Sequence, residues 1–228
     1  MLERLCAHLI RRRWAWLAGL LVVTGALAIP AAKGGVDNSV DVWFVEGDPA
    51  LDAYRSFQET FGNDEVVVIA VRVPDGIYAA PVLNRIFAAT QALERVSGVA
   101  RVLSVSNVPL VGGGPGEIDV QPGMKAELLA GQEPALRARI EGDAMLKGRL
   151  VTANGTVALI YAQMAAMADI DAQRHGILTA LEAIVSEHLR PSYDVKIAGI
   201  GVIYDALNVI SQHEAGLFMG IAFLAIFG

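Results

Sequence analysis

The last 14 residues, Ala215 to Gly228 (AGLFMGIAFLAIFG), carry no charge and no polar side chain. As a helix rising about 1.5 Å per residue they would reach about 21 Å, short of the roughly 30 Å hydrocarbon core of a bilayer. A soluble domain does not normally finish on Phe223-Leu224-Ala225-Ile226-Phe227 with nothing polar after it. The run reads as a second membrane helix, residues 215–228, cut off before completion. The chain then reads as the N-terminal piece of a larger membrane protein.

The opposite end is built alike. Trp14 to Ala32 (WAWLAGLLVVTGALAIPAA) holds 19 uncharged residues, about 28 Å of helix and close to the roughly 20 that a span needs. Trp14 and Trp16 stand at its start, where indole rings favour the headgroup level. Arg11, Arg12 and Arg13 precede it, and Lys33, Asp37 and Asp41 follow. Positive charge prefers the cytoplasmic side. Residues 1–13 are therefore expected in the cytoplasm, 14–32 in the inner (plasma) membrane and 33–214 in the periplasm. A cleaved secretory signal has the same basic start and the small residues Ala26-Leu27-Ala28, but its apolar region is usually about 7–15 residues. The greater length and the second apolar run favour a retained helix.

Charge divides along the same lines. Residues 1–13 hold four Arg and one Glu, whereas residues 33–214 hold 14 Lys/Arg against 23 Asp/Glu. An acidic domain is a poor partner for nucleic acid, whose phosphates need basic groups, so none is expected. Cys6 is the single cysteine, so the outer region must be held by its own core.

Within residues 33–214 the pattern is strand–helix–strand, twice. Ser39 to Val45 is a short extended stretch. Asp48 caps and Pro49 opens a helix with Leu51, Tyr54, Phe57 or Gln58, and Phe61 on one face, stopped by Gly62-Asn63. Val66 to Val73 (VVVIAVRV) is a buried strand. Pro81 to Ser97 is a helix with Val82, Leu83, Ile86, Phe87, Leu93 and Val96 inward, and Val99 to Ser106 a strand. Pro109 to Gly123 reads as a loop. Met124 to Lys147 reads as one or two short helices broken near Gly131. Arg149 to Thr152 and Thr156 to Met164 flank Asn154-Gly155, a strong hairpin signal. Ile170 to Leu189 is a helix with Ile177, Leu181, Ile184 or Val185, and Leu189 inward. Val195 to Ile200 is a strand, and an amphipathic helix near Val202 to Gln212 leads into the final run. Two such units commonly share one four-stranded sheet, so the fold class is α+β with a ferredoxin-like, split βαβ domain.

The sequence predicts no catalytic, cofactor or metal residue, and the chain does not read as an enzyme. It has no G-x-S-x-G, H-E-x-x-H or Walker lysine motif. Gly112-Gly113-Gly114-Pro115-Gly116 is explained by a flexible loop. Gly199-Ile200-Gly201 puts Tyr204 where a dinucleotide fingerprint needs glycine. His8, His175, His188 and His213 lack metal-site spacing. Asp64-Glu65 and Asp169-Asp171 could serve acid/base work or hold a cation, but such residues more often start strands or cap helices. Asn154-Gly155-Thr156 matches the glycosylation triplet, though a tight turn accounts for it. The first apolar run holds no carboxylate for a proton relay.

The segment Asp41 to Val71 (DVWFVEGDPALDAYRSFQETFGNDEVVVIAV), with Leu150 to Met164 (LVTANGTVALIYAQM), resembles the N-terminal part of an RND-superfamily exporter, in the MmpL and hopanoid-transporter branch. The resemblance covers all 228 residues. It implies export of hydrophobic or lipid-like molecules driven by the proton gradient. It also implies a βαβ porter domain after the first helix, and relay carboxylates on later helices beyond Gly228. The partners it implies are the bilayer, an amphipathic substrate, the rest of the transporter and a homo-oligomer. Two other readings remain open: a signal-bearing or membrane-anchored extracytoplasmic binding module, and a SecD-like translocation component.

Overall fold

The computed structural model describes residues 8, 10–33, 44–45, 47–112, 119–143, 146–167 and 170–227. Two compact units are distinguished, Asn38–Ile210 and a second made of Met1–Asp37 with Ser211–Gly228. Elements in chain order are α1 (Arg13–Lys33), α2 (Pro49–Phe61), β1 (Val66–Arg72), α3 (Ala80–Leu93), β2 (Val99–Leu103), β3 (Pro109–Gly112), β4 (Asp119–Pro122), α4 (Glu133–Gly142), β5 (Val157–Met164), α5 (Ile170–His188), β6 (Asp194–Gly199) and α6 (Ile200–Phe227). The chain is α+β, with six helices among the described residues.

The larger unit is organised by a four-stranded sheet of order β2-β5-β1-β6, with antiparallel neighbours throughout. β1 pairs with β5 from Val66↔Gln163 to Arg72↔Val157, and with β6 from Val67↔Gly199 to Arg72↔Asp194. β5 therefore lies between β1 and β2, and β1 between β5 and β6. The two strand–helix–strand units interleave. Burial alternates along β1 and β5, with Val67, Ile69, Val71, Ala158, Ile160, Ala162 and Met164 on the buried face. α3 and α5 pack on each other and bring Leu83, Ile86, Leu93, Ile177, Leu181 and Val185 into the same core. Burying each such side chain contributes roughly 1.5–3 kcal/mol, so this face fixes the register: a one-residue slip would turn it to solvent.

Local chemistry explains most boundaries. The Asp48 carboxylate accepts from Ala50 N at 2.8 Å, and Pro49 occupies the first turn, so α2 starts as its sequence predicts. At the Asn154-Gly155 turn, Asn154 Oδ1 accepts from Thr152 Oγ1 at 2.8 Å and from Thr156 Oγ1 at 2.9 Å, and Gly155 adopts φ +69°.

Several expectations are corrected. Pro109 to Gly123 is not simply a loop: β3 and β4 form a two-stranded hairpin, Pro109 opposite Pro122, which needs no ladder N–H from either proline. Most of the glycine cluster, residues 113–118, lies outside the described residues. Residues 124–131 are not helical, because Asn84 of α3 captures Leu128 through both N–H and C=O, at 2.7 and 3.0 Å. One helix, α4, follows. α3 stops at Leu93 rather than Ser97, as Arg95 and Val96 bond three residues back and Gly98 turns with φ +90°. Ahead of the turn, Arg149–Thr152 contributes only isolated bridges from Val151. Phe57 and Phe61 face outward rather than joining Leu51 inside. The amphipathic segment near Val202–Gln212 and the final apolar run are one helix, α6, since no proline or turn residue interrupts Ser211 to Ala215. Of the expected stretch Ser39–Val45, only Phe44 and Val45 are described.

Ile200–Ile226 is long and apolar enough to cross a membrane, at 27 residues or about 40 Å. The described apolar part of α1, Arg13–Leu27, is shorter than a span. The passage from β6 into α6 goes through Gly199, whose φ is +130°. A Cβ there would lie 2.1 Å from the Val66 carbonyl oxygen. Backbone meets backbone at this joint, and only glycine fits. Gly199→Ala is expected to cost at least about 2 kcal/mol through strain and overlap. The measurement is the melting temperature of the full chain in detergent, and an unchanged value would mean that the joint tolerates a side chain.

Candidate functional site

The face of α5 that carries Ile177, Leu181 and Val185 also carries Arg174, one turn earlier, and its side chain is 1% exposed. A guanidinium at a core position must be fully paired, because an unpaired buried charge costs several kcal/mol. Nε donates to Glu65 Oε2 at 2.8 Å and Nη2 to Glu65 Oε1 at 2.6 Å, a bidentate pair. Nη1 donates to Asp171 Oδ1, one turn back on the same helix. The Tyr204 ring, in the second turn of α6, lies 5.2 Å from the guanidinium carbon.

Glu65 stands one residue before β1 and is buried. Its backbone N–H donates to Asn63 Oδ1 at 3.1 Å, and the Asn63 carbonyl accepts from Gln163 Nε2 at 2.7 Å. A Cβ added at Gly201, in the first turn of α6, would lie 3.2 Å from Glu65 Oε2. Burial alone would lower the Arg174 pKa. The hydrogen bonds to Glu65 and Asp171, and the attraction of both charges, outweigh it and drive the value upward. Arg174 is therefore a fixed charge that joins β1, α5 and α6. Its donors are committed to carboxylates, so the cluster is suited to positioning rather than to proton transfer.

Beside it a groove of about 770 Å³ runs between α5, the free edge of β6 and the first turns of α6. Its floor is apolar, with Leu178, Leu181, Val195, Ile197 and Val202. On its rim Lys196 pairs with Asp194 at 3.4 Å and Arg190 with Glu182, and His175 Nδ1 meets Asp205 at 3.1 Å. The groove thus joins an apolar floor to a rim of paired polar groups. An apolar floor with polar groups at its rim suits an amphipathic ligand.

Comparison with protein-family models and with curated proteins finds no match.

Of the two acidic pairs singled out in the sequence, the structure brings one member of each together, Glu65 and Asp171, on Arg174. Asp64 instead accepts from Tyr54 Oη at 3.0 Å, and Asp169 lies outside the described residues. His8 meets Trp16 edge-on at 6.5 Å, His175 pairs with Asp205, and the His188 carbonyl accepts from Arg85 at 3.3 Å. Among the described residues, no group of three or more His, Cys, Asp or Glu could hold a metal ion. Sequence reasoning missed Arg174. The available signal was its place on the stripe of Ile177, Leu181 and Val185, where a charge has to find a partner.

Arg174→Ala, or Glu65→Ala, is expected to destabilise the protein by about 3–5 kcal/mol, because each strands a buried charge. Replacing both together, Glu65→Leu with Arg174→Met, is expected to cost less than either single change. Thermal unfolding of the full chain in detergent reads both. Additive losses would mean that the two residues act independently.

Proposed function

We propose that the chain is the N-terminal part of an inner-membrane RND/MmpL-type transporter, exporting hydrophobic or lipid-like molecules by proton-driven antiport. The observation that carries this reading is the direct passage of β6 through Gly199 into α6. A sheet of order β2-β5-β1-β6 is thereby fused to a helix long enough to span. On this reading the interleaved βαβ units form a ferredoxin-like porter domain in the periplasm, in keeping with the strand order. α1 is a first span whose N-terminal arginines remain in the cytoplasm. Residues 14–32 hold no carboxylate, so on this reading they take no part in the proton relay. The amphipathic groove suits cargo of the proposed kind.

A second reading rests on the basic start and the small residues Ala26-Leu27-Ala28, which a cleaved signal peptide also has; the product would then be an extracytoplasmic binding module anchored by α6.

Alkaline phosphatase fused after residue 212 is expected to be active, and fused after residue 10 inactive, with the intact N-terminal Met1 recovered from alkali-washed membranes. Cleavage near Ala28 would select the binding module, and a soluble cytosolic product would overturn both readings. Cells expressing the whole reading frame should extrude a hydrophobic dye until a protonophore is added, and cells expressing residues 1–228 alone should not. Extrusion that persists with the protonophore would remove the proton-coupled mechanism.

A further inference from the structure

β6 is the last strand of the four-stranded sheet, and among the described residues no strand pairs with its outer edge. The hydrogen bonds at the two ends of β1 show which groups of β6 face outward. Val73 N donates to the Thr156 carbonyl at 2.8 Å, and Met164 N to the Glu65 carbonyl at 2.9 Å. Odd-numbered residues of β1 therefore bond toward β5. Even-numbered ones bond toward β6, since the two sides alternate along an antiparallel strand. Opposite Val68, Ala70 and Arg72 stand Ala198, Lys196 and Asp194, which commit their N–H and C=O to β1. Val195 and Ile197 aim theirs out of the sheet.

The side chains along this edge form a pattern complementary to itself. Asp194 and Lys196 lie exposed on one face of β6, 3.4 Å from each other. Val195 and Ile197 lie on the other face, and Tyr193, just ahead of them, lines the same groove. Consider a second β6 laid antiparallel along the first, with Val195 at the centre. Asp194 of each copy then faces Lys196 of the other, so two opposite-charge pairs form on the exposed face. On the groove face Val195 meets Val195, and Tyr193 meets Ile197, an aromatic–β-branched pair of the favoured kind. The backbone agrees, because the two Val195 residues exchange both N–H···O bonds as a hydrogen-bonded pair.

No neighbouring register does as well. Sliding by two residues sets Lys196 against Lys196 in one direction and Asp194 against Asp194 in the other. Sliding by one sets the charged face against the apolar one. A lysine on an edge strand ordinarily blocks pairing. With an aspartate two residues away, the same lysine admits a single alignment.

We propose that the outer edge of β6 binds a second copy of this chain, antiparallel and centred on Val195, so that two four-stranded sheets become one. The groove beside each β6 then opens onto its twin, and their apolar floors join. α5 packs on one face of the sheet, and Tyr204 and Asp205 in the first turns of α6 meet Arg174 and His175 of α5. The pairing therefore does not set the two α6 helices on opposite faces of the joined sheet. The inference uses the larger unit alone and does not depend on the exporter reading.

The test is the association of the full chain in detergent, read by analytical ultracentrifugation. Asp194→Lys leaves only cations on the exposed face of the edge, and Lys196→Asp only anions. Both side chains are exposed, so the melting temperature of each variant is expected to match that of the native chain. Alone, each is expected to dimerise about tenfold more weakly than the native chain, because two attractive pairs become repulsive. An equimolar mixture of the two variants is expected to recover native association, since every cation then faces an anion. The pair within one strand is lost in both variants and does not explain such a recovery. A native chain that stays monomeric would overturn the inference. A dimer that neither variant weakens would also do so, since another surface would hold it, as would weakening of both without recovery in the mixture.

Discussion

A positive charge placed in an apolar core has to be met there by negative charge, and Arg174 shows what that requirement costs and secures. Desolvating a guanidinium is unfavourable by several kcal/mol. The protein meets it with Glu65, 109 residues away in sequence, and with Asp171, one turn away. Because Glu65 immediately precedes β1 and the Tyr204 ring of α6 lies 5.2 Å from the guanidinium, this demand fixes three elements at one point. A hydrophobic contact would tolerate sliding. A bidentate pair at 2.6 and 2.8 Å does not, since a small displacement breaks two charge-assisted bonds at once.

Much of the larger unit was legible because periodicity and turn chemistry agree there. The alternation along Val66–Arg72, the stripe Val82-Leu83-Ile86 and the Asn154-Gly155 turn each place themselves without long-range information. The misreadings share another cause. Residues 124–131 carry helix-compatible side chains, but Asn84, 44 positions earlier, claims their backbone. Phe57 and Phe61 have the spacing of a core face, and only the tertiary placement of Leu51 and Tyr54 shows which side turns inward. The hairpin β3–β4 was obscured by its prolines, which are harmless where they pair at the hairpin's open end.

The site was less legible than the fold. Glu65 and Asp171 stood out as acidic pairs, yet their common partner sat within a stripe read only for its apolar members. The groove could not be read at all, because His175, Asp194 and Asp205 come together only when α5, β6 and α6 are assembled. What can be seen in advance is the type of each side chain. What its charge is spent on depends on neighbours that the fold supplies.

The interleaving of the two βαβ units bears on how the chain is made. When a nascent polypeptide has emerged as far as Leu103, β1 and β2 exist but cannot pair, since the slot between them belongs to β5, more than fifty residues later. Until then both strands present open edges, the condition under which partly formed sheets stick to other chains. Closure of the sheet therefore waits for synthesis to pass Met164, and its last edge waits for Gly199, the residue just before α6 begins. Completion of the domain and delivery of its C-terminal helix are the same event in the life of the ribosome-bound chain.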